Sequence, residues 1–218
     1  MRTIIFAGLV LAASQAQAQA PGAANLRALA DESQQTARGA LVNFGKLVSE
    51  KNATRMGFAK PSDLQKAQLD TPLGDFIVRL DELGQYRDGS DPSALLHPTG
   101  QVTYPVKVGE RVQSSITLHK ENSAWRAVSY GSPMLMTALQ DTRDVVVKRE
   151  RREIKEFFQV RIPAFNLHFI GHMAGDKLML TPVRDMEMYG LKKGTTQAAA
   201  QIFAKLQPRA AQDEGLPR

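Results

Sequence analysis

The chain has 218 residues, 43% of them hydrophobic, and a formal net charge of +6 from 28 basic and 22 acidic side chains, with no cysteine. That is enough apolar material for one domain of ordinary size or two small ones. Disulfides, thiolate nucleophiles and cysteine metal ligands are excluded, and basic residues are interleaved with carboxylates instead of being gathered beside aromatics, which argues against a nucleic-acid surface.

The first eighteen residues read as a secretory leader. Arg2 gives a positive start, Thr3 to Ala13 an apolar run, and two Ala-Gln-Ala triplets a small-residue cleavage region. An apolar run of about ten residues spans roughly 15 Å as a helix, half of what a membrane anchor needs. Cleavage is expected after Ala18, because Pro21 would sit at the scissile bond if it followed Ala20. The mature chain then starts at Gln19 with a side-chain balance of +5. No cysteine is available for a lipid anchor, and no second long apolar stretch follows.

From Leu26 to Val48 apolar residues recur every three or four positions, the stripe of one long amphipathic helix, with Asn25 expected to cap its start and Asn52 to close its end. Ser62 and Gln65 have capping-box spacing and predict a short helix to about Ala67. Phe76, Val78 and Leu80 alternate as a strand, followed by a turn-rich loop at residues 88–92.

The clearest β signal comes next. Val102, Tyr104, Val106 and Val108 share one strand face and Thr103, Pro105 and Lys107 the other. Gly109-Glu110 turns the chain into residues 111–119, with Val112, Ser114, Ile116 and Leu118 inward, and residues 125–130 complete an antiparallel meander. Pro105 lacks a backbone donor, which marks the first of these strands as an edge. Ser132-Pro133 reads as a helix start with the serine hydroxyl as cap, running to about Glu150. Residues 157–170 read as one long strand with a bulge at Pro163. A turn at residues 174–176, a strand at 178–182 and a helix carrying Ala199, Ile202, Phe203 and Leu206 follow, the helix ending before Pro208 and the tail from Arg209 being frayed.

Strand runs flanked by helices without regular alternation specify an α+β class: a long N-terminal helix and further helices packed on a curved antiparallel sheet, a helix-first topology like cystatin-like and NTF2-like folds. The expected organisation is a leader at residues 1–18, a single domain over 19–208 with a seam near 148–156, and a flexible tail at 209–218. The segment 157–194, FFQVRIPAFNLHFIGHMAGDKLMLTPVRDMEMYGLKKG, resembles the C-terminal part of small uncharacterised exported bacterial proteins. That resemblance implies bacterial export and no particular activity.

Catalytic motifs are incomplete. Gly131-Ser132-Pro133 is not a nucleophile elbow, and the loop at residues 88–91 lacks the ligand alternation of a calcium site. Gly190 to Thr195 lacks P-loop spacing. His168 and His172 stand four apart on a predicted strand, roughly 13 Å, beyond the span of one zinc ion; solvent-side positions are expected for both.

The expected product is therefore an exported, periplasmic or secreted binding module, not an enzyme, for an envelope protein, a peptide or an anionic polymer. No cofactor, nucleic acid or membrane span is expected. The alternative is a hydrolase or small-ligand site formed only in three dimensions, around Tyr104, His119, Trp125 and Tyr130. The basic stretch supplies a second set of candidate binding residues, Lys148, Arg149, Arg151 and Arg152, for anionic lipid or polysaccharide.

Overall fold

The computed structural model describes residues 23–212; the expected leader and its cleavage site lie outside the described residues. Helix α1 (Ala23–Leu47) begins the fold. Asn25 lies inside it and is not its cap, whereas Asn52 closes the other end: its amide Nδ2 donates to Leu47 O at 2.9 Å and its Oδ1 accepts from Ser49 N at 2.7 Å. The short helix at Pro61–Lys66 is of 3-10 type. Lys60 precedes it and Asp63 Oδ2 accepts from Lys60 N at 3.1 Å, so Asp63 does what the Ser62/Gln65 spacing was expected to do.

Strands β1 (Ala67–Leu69) and β2 (Leu73–Ile77) come next, then one turn of helix, α2 (Leu80–Gly84). Leu80 therefore starts a helix and does not continue the predicted strand. The meander follows as β3 (His97–Val108), β4 (Arg111–Glu121) and β5 (Ala124–Tyr130). Helix α3 (Pro133–Glu150) crosses to β6 (Phe158–Ile162), β7 (Leu167–Ala174) and β8 (Lys177–Pro182), and β9 (Gln197–Ala198) leads into α4 (Ala199–Gln212).

The single predicted strand over residues 157–170 is a hairpin. Pro163–Phe165 forms a 3-10 turn, Asn166 takes φ 51°, and β6 and β7 pair antiparallel from Phe158↔Gly171 to Ile162↔Leu167. The phase change in the apolar pattern was a reversal of direction, not a bulge. Helix α4 also passes through Pro208, and Ala210 beyond it is 4% exposed, so the helix neither stops before the proline nor frays at Arg209.

All nine strands join one sheet in the order β5-β4-β3-β2-β6-β7-β8-β9, with β1 also on β3. Pairing is antiparallel except between β2 and β6. A parallel pair needs a crossover, and α3 supplies it. Strand β3 is thus interior, not an edge. Pro105 O accepts from Asp70 N at 2.9 Å, and because one residue's N and O point the same way in an antiparallel strand, the missing donor faces the gap between β1 and β2.

The sheet has one apolar and one mixed face. On the first, α1 covers β3 to β5 through Ala37, Phe44, Val102, Tyr104, Ile116 and Leu118, and α2 and α4 cover β6 to β8 through Leu83, Phe158, Val160, Leu180 and Phe203. On the second, α3 lies alone among the described residues, packing Met136, Leu139 and Val146 on Leu73, Ile170 and Val183. Val112 joins α3 on this side, because a register shift at Val106/Lys107 reverses the phase of β4.

Arg143 of α3 is fully buried. Its guanidinium donates to Thr71 O at 2.9 Å and to Gln140 Oε1 at 2.6 Å, tying the crossover helix to the β1–β2 connection. Burial, opposed by the charges of Asp70 and Asp144, lowers its pKa to about 10, so it stays charged at neutral pH. Arg143→Ala would leave a cavity and unpaired carbonyls, and is expected to lower the unfolding free energy by about 3–5 kcal/mol. Urea unfolding measures this, and a loss below about 1 kcal/mol would show that the residue is not a tie.

Candidate functional site

The mixed face is covered by α3 over only part of its width. Beside the helix lies an open trough of about 440 Å³, and ten of its fourteen lining residues are polar or charged. The alternation of the strands puts them there: where Val102, Tyr104, Ile116 and Leu118 point to α1, their neighbours Gln101, Thr103 and Thr117 point the other way. Thr103 and Thr117 are register partners, with their hydroxyls 3.1 Å apart, and Ser129 stands opposite Thr117 on β5. Leu135, Met136 and Leu139 of α3 form the apolar wall.

At the parallel junction the floor becomes ionic. Asp75 of β2 is 5% exposed, and Arg161 of β6 clamps it with Nε to Oδ1 at 2.8 Å and Nη2 to Oδ2 at 2.5 Å. Thr99 Oγ1 adds a bond to Asp75 Oδ2 at 2.9 Å. The bidentate contact to Asp75, against the opposing effect of burial, raises the Arg161 pKa above its ordinary value. The second guanidinium nitrogen, Nη1, has no partner among the described residues.

Next to Arg161, across β6–β7, stands His168. Gln159 Nε2 donates to His168 Nδ1 at 3.2 Å, which leaves the ring proton on Nε2. Burial, reinforced by Arg184 and Arg161, lowers the His168 pKa to about 4, and the ring is neutral at pH 7.

Ser132 lines the opposite end of the trough. It precedes α3 with φ 58° and ψ 46°, and its hydroxyl makes no cap hydrogen bond, in contrast to its expected role. Ser115 Oγ donates to Gly131 O at 2.5 Å and holds this turn over β4. Between β4 and β7 lie four inter-strand spacings, roughly 19 Å along the sheet. Ser132 and His168 are therefore too far apart to act as nucleophile and base.

The residues expected to gather around the meander divide between the two faces. Tyr104 is 3% exposed under α1, and its hydroxyl is engaged by Ser33 Oγ at 2.8 Å and Ala30 O at 3.0 Å. Tyr130 packs on Phe44 with ring centroids 4.9 Å apart. Trp125 lies under Lys120, 5.7 Å from its ring, on the α1 side. His119 pairs with Gln101, next to the trough but outside its lining. A second hollow of about 480 Å³ between α1 and β1 does include Tyr104, but its charges offset one another, Asp31 and Asp70 against Arg38 and Lys155.

Two of the four basic candidates are engaged within the fold. Arg149 donates to Gly194 O at 2.9 Å and to Thr196 Oγ1, and Arg152 pairs with Glu156 at 2.6 Å. Arg151 terminates α3 with φ 52° and is exposed, as is Lys148. His172, expected on the solvent side, is 1% exposed and packs on Phe157 at 5.1 Å. No group of three or more His, Cys, Asp or Glu converges among the described residues, and no helix among them is long and apolar enough to cross a membrane. Compared with known protein families, with curated proteins and with solved structures, the chain finds no match.

The lowered pKa of His168 links stability to pH. Unfolded, the imidazole titrates near 6.5; folded, near 4. Between these values the unfolded state holds the extra proton, so stability falls as pH drops through this window. Discounted for partial exposure, the contribution is roughly 1–2 kcal/mol. Urea midpoints should decline from pH 6.5 to 4 in the parent and decline less in His168→Gln; parallel curves would refute the assignment.

Proposed function

We propose that the chain is an exported, non-enzymatic binding module that holds a polar ligand in the trough beside α3. The observation that carries this reading is the trough itself: hydroxyl and amide groups from adjacent strands converge on a rigid ion-paired floor, while nucleophile and base are kept apart. Preformed concavities with a few fixed polar groups are the usual form of ligand sites, and a floor built on strands holds its geometry better than loops would. Export rests on the leader at residues 1–18 and on the resemblance of residues 157–194 to exported bacterial proteins. The helix-first likeness to cystatin-like and NTF2-like folds contributes nothing to the ligand assignment.

Two measurements test the proposal. Expressed with its leader in a bacterial host, the protein should be recovered from the periplasm or medium with the mass of residues 19–218; retention of residues 1–18 would overturn export. In nuclear magnetic resonance titrations of that product with pools of peptides, oligosaccharides and organic acids, ligand-induced shifts should centre on Gln101, Thr117, Gln159 and His168. Gln101→Leu with Thr117→Val should weaken binding at least about tenfold while leaving the unfolding midpoint within a few degrees. Shifts that map instead to α1 or to Lys148 and Arg151 would assign the ligand to another surface.

A further inference from the structure

The trough crosses β5, β4, β3, β2, β6 and β7: Ser129, Thr117 and Thr103 are successive register partners, and beyond Thr103, whose partner on β2 is Leu73, the lining steps along the strands to the Asp75–Gln159 pair and again to the Arg161–His168 pair, so that it runs obliquely across the sheet. Five inter-strand spacings make it about 24 Å long. A volume of about 440 Å³ spread over that length describes a narrow channel for an extended chain and not a chamber for a compact molecule.

Two further features define the chain it suits. The hydroxyls of Thr103, Thr117, Ser129 and Ser132 and the amides of Gln101 and Gln159 can each donate and accept, matching the alternating N–H and C=O groups of a peptide. Among the described residues no Phe, Tyr or Trp lines the trough to cover the C–H face of a sugar ring. The two formal charges of the lining pair with each other, yet they do not present equal faces to a ligand. Asp75 is the one carboxylate in the lining, and both its oxygens are already engaged by Arg161 and Thr99. Arg161 keeps Nη1 without a partner among the described residues, and its side chain is 31% exposed. An incoming carboxylate thus meets an available cationic donor and no exposed anion.

Resting on the binding reading above, we infer that the ligand is an extended peptide of about seven residues, lying across the strands with its C-terminal carboxylate received by Arg161 Nη1.

The test presents the processed full chain, residues 19–218, immobilised, with equimolar pools of seven-residue peptides of Ser, Asn, Gly and Ala, one with free C-termini and one amidated. Recovery measured by mass spectrometry should favour the free acids at least about tenfold. Asp75→Asn with Arg161→Gln, which replaces both charges of the ion pair by neutral amides, should abolish the preference. In the unsubstituted protein the Arg161 Nε–H resonance should move with free-acid peptides and not with amidated ones, a readout that holds even if the double variant fails to fold. Equal recovery of the two pools, or a preference that survives the double substitution, overturns the inference. Shifts along the trough with oligosaccharides but not peptides, or with inorganic phosphate as strongly as with peptides, overturn the peptide while preserving a ligand site. No shift at Gln101, Thr117 and Gln159 with any of these probes overturns both.

Discussion

The ion pair between Asp75 and Arg161 closes the one junction in the sheet where strands run parallel. Elsewhere each strand pairs with an antiparallel neighbour, most of them across short hairpins, so local connections set the register. β2 and β6 have no such connection, because β3, β4, β5 and α3 intervene. Their alignment, Asp75 on Gln159 and Ile77 on Arg161, rests on backbone pairing and on a clamp between residues 86 apart in sequence. The clamp is also largely shielded: removing one partner of such a pair costs about 3–5 kcal/mol because the other charge is left unpaired. From this seam the chain builds outward in two directions, β2 to β5 on one side and β6 to β9 on the other, and the trough floor lies where the two meet.

The crossover that makes the seam possible also makes the trough. A helix of 18 residues is about 27 Å long and 10 Å wide, too narrow to cover a sheet eight strands broad. The apolar face is shared by α1, α2 and α4; among the described residues the opposite face has α3 alone. Where α3 reaches, the sheet offers Leu73 and Ile170, and where it does not, the sheet offers Thr103, Thr117, Gln159 and Arg161. Arg143 limits how far α3 can shift, since its guanidinium is held by backbone carbonyls at the β1–β2 connection. The wall of the trough is thus positioned by a buried charge and its floor by an ion pair.

Local signals in the sequence identified elements whose stabilising contacts are near in the chain. The β3–β4–β5 meander, the Gly109 and Gly175 turns and the apolar stripe of α4 follow from alternation, turn chemistry and helical period. Misreadings arose where a remote contact outweighed a local preference. Pro105 suggests an edge, yet the gap between β1 and β2 accommodates its missing donor inside the sheet. Pro208 suggests a stop, yet Ile202, Phe203, Leu206 and Ala210 pack so well that the helix continues. The trough left one trace: in Phe158-Gln159-Val160-Arg161-Ile162 the polar residues alternate with apolar ones, which a strand buried on both faces would not do. That Arg161 meets Asp75 is set by topology, and spacing along the chain carries no sign of it.

The same geometry limits the acid–base chemistry that the trough could support. A general base has to be near the proton it takes; His168, whose pKa burial lowers to about 4, lies four strand spacings from the turn that carries Ser132. Asp75 is the remaining titratable anion of the lining, and it is fully engaged by Arg161 and Thr99. What the trough retains is hydrogen-bonding capacity on a rigid surface: hydroxyls, amides, a neutral imidazole and one guanidinium nitrogen. On the binding reading proposed above, those groups would recognise a ligand by its pattern of donors and acceptors, because such a site rejects molecules that leave its own polar groups unpaired. On that reading, selectivity would reside in the sequence of polar groups along the trough, which the pairing of six strands holds in place.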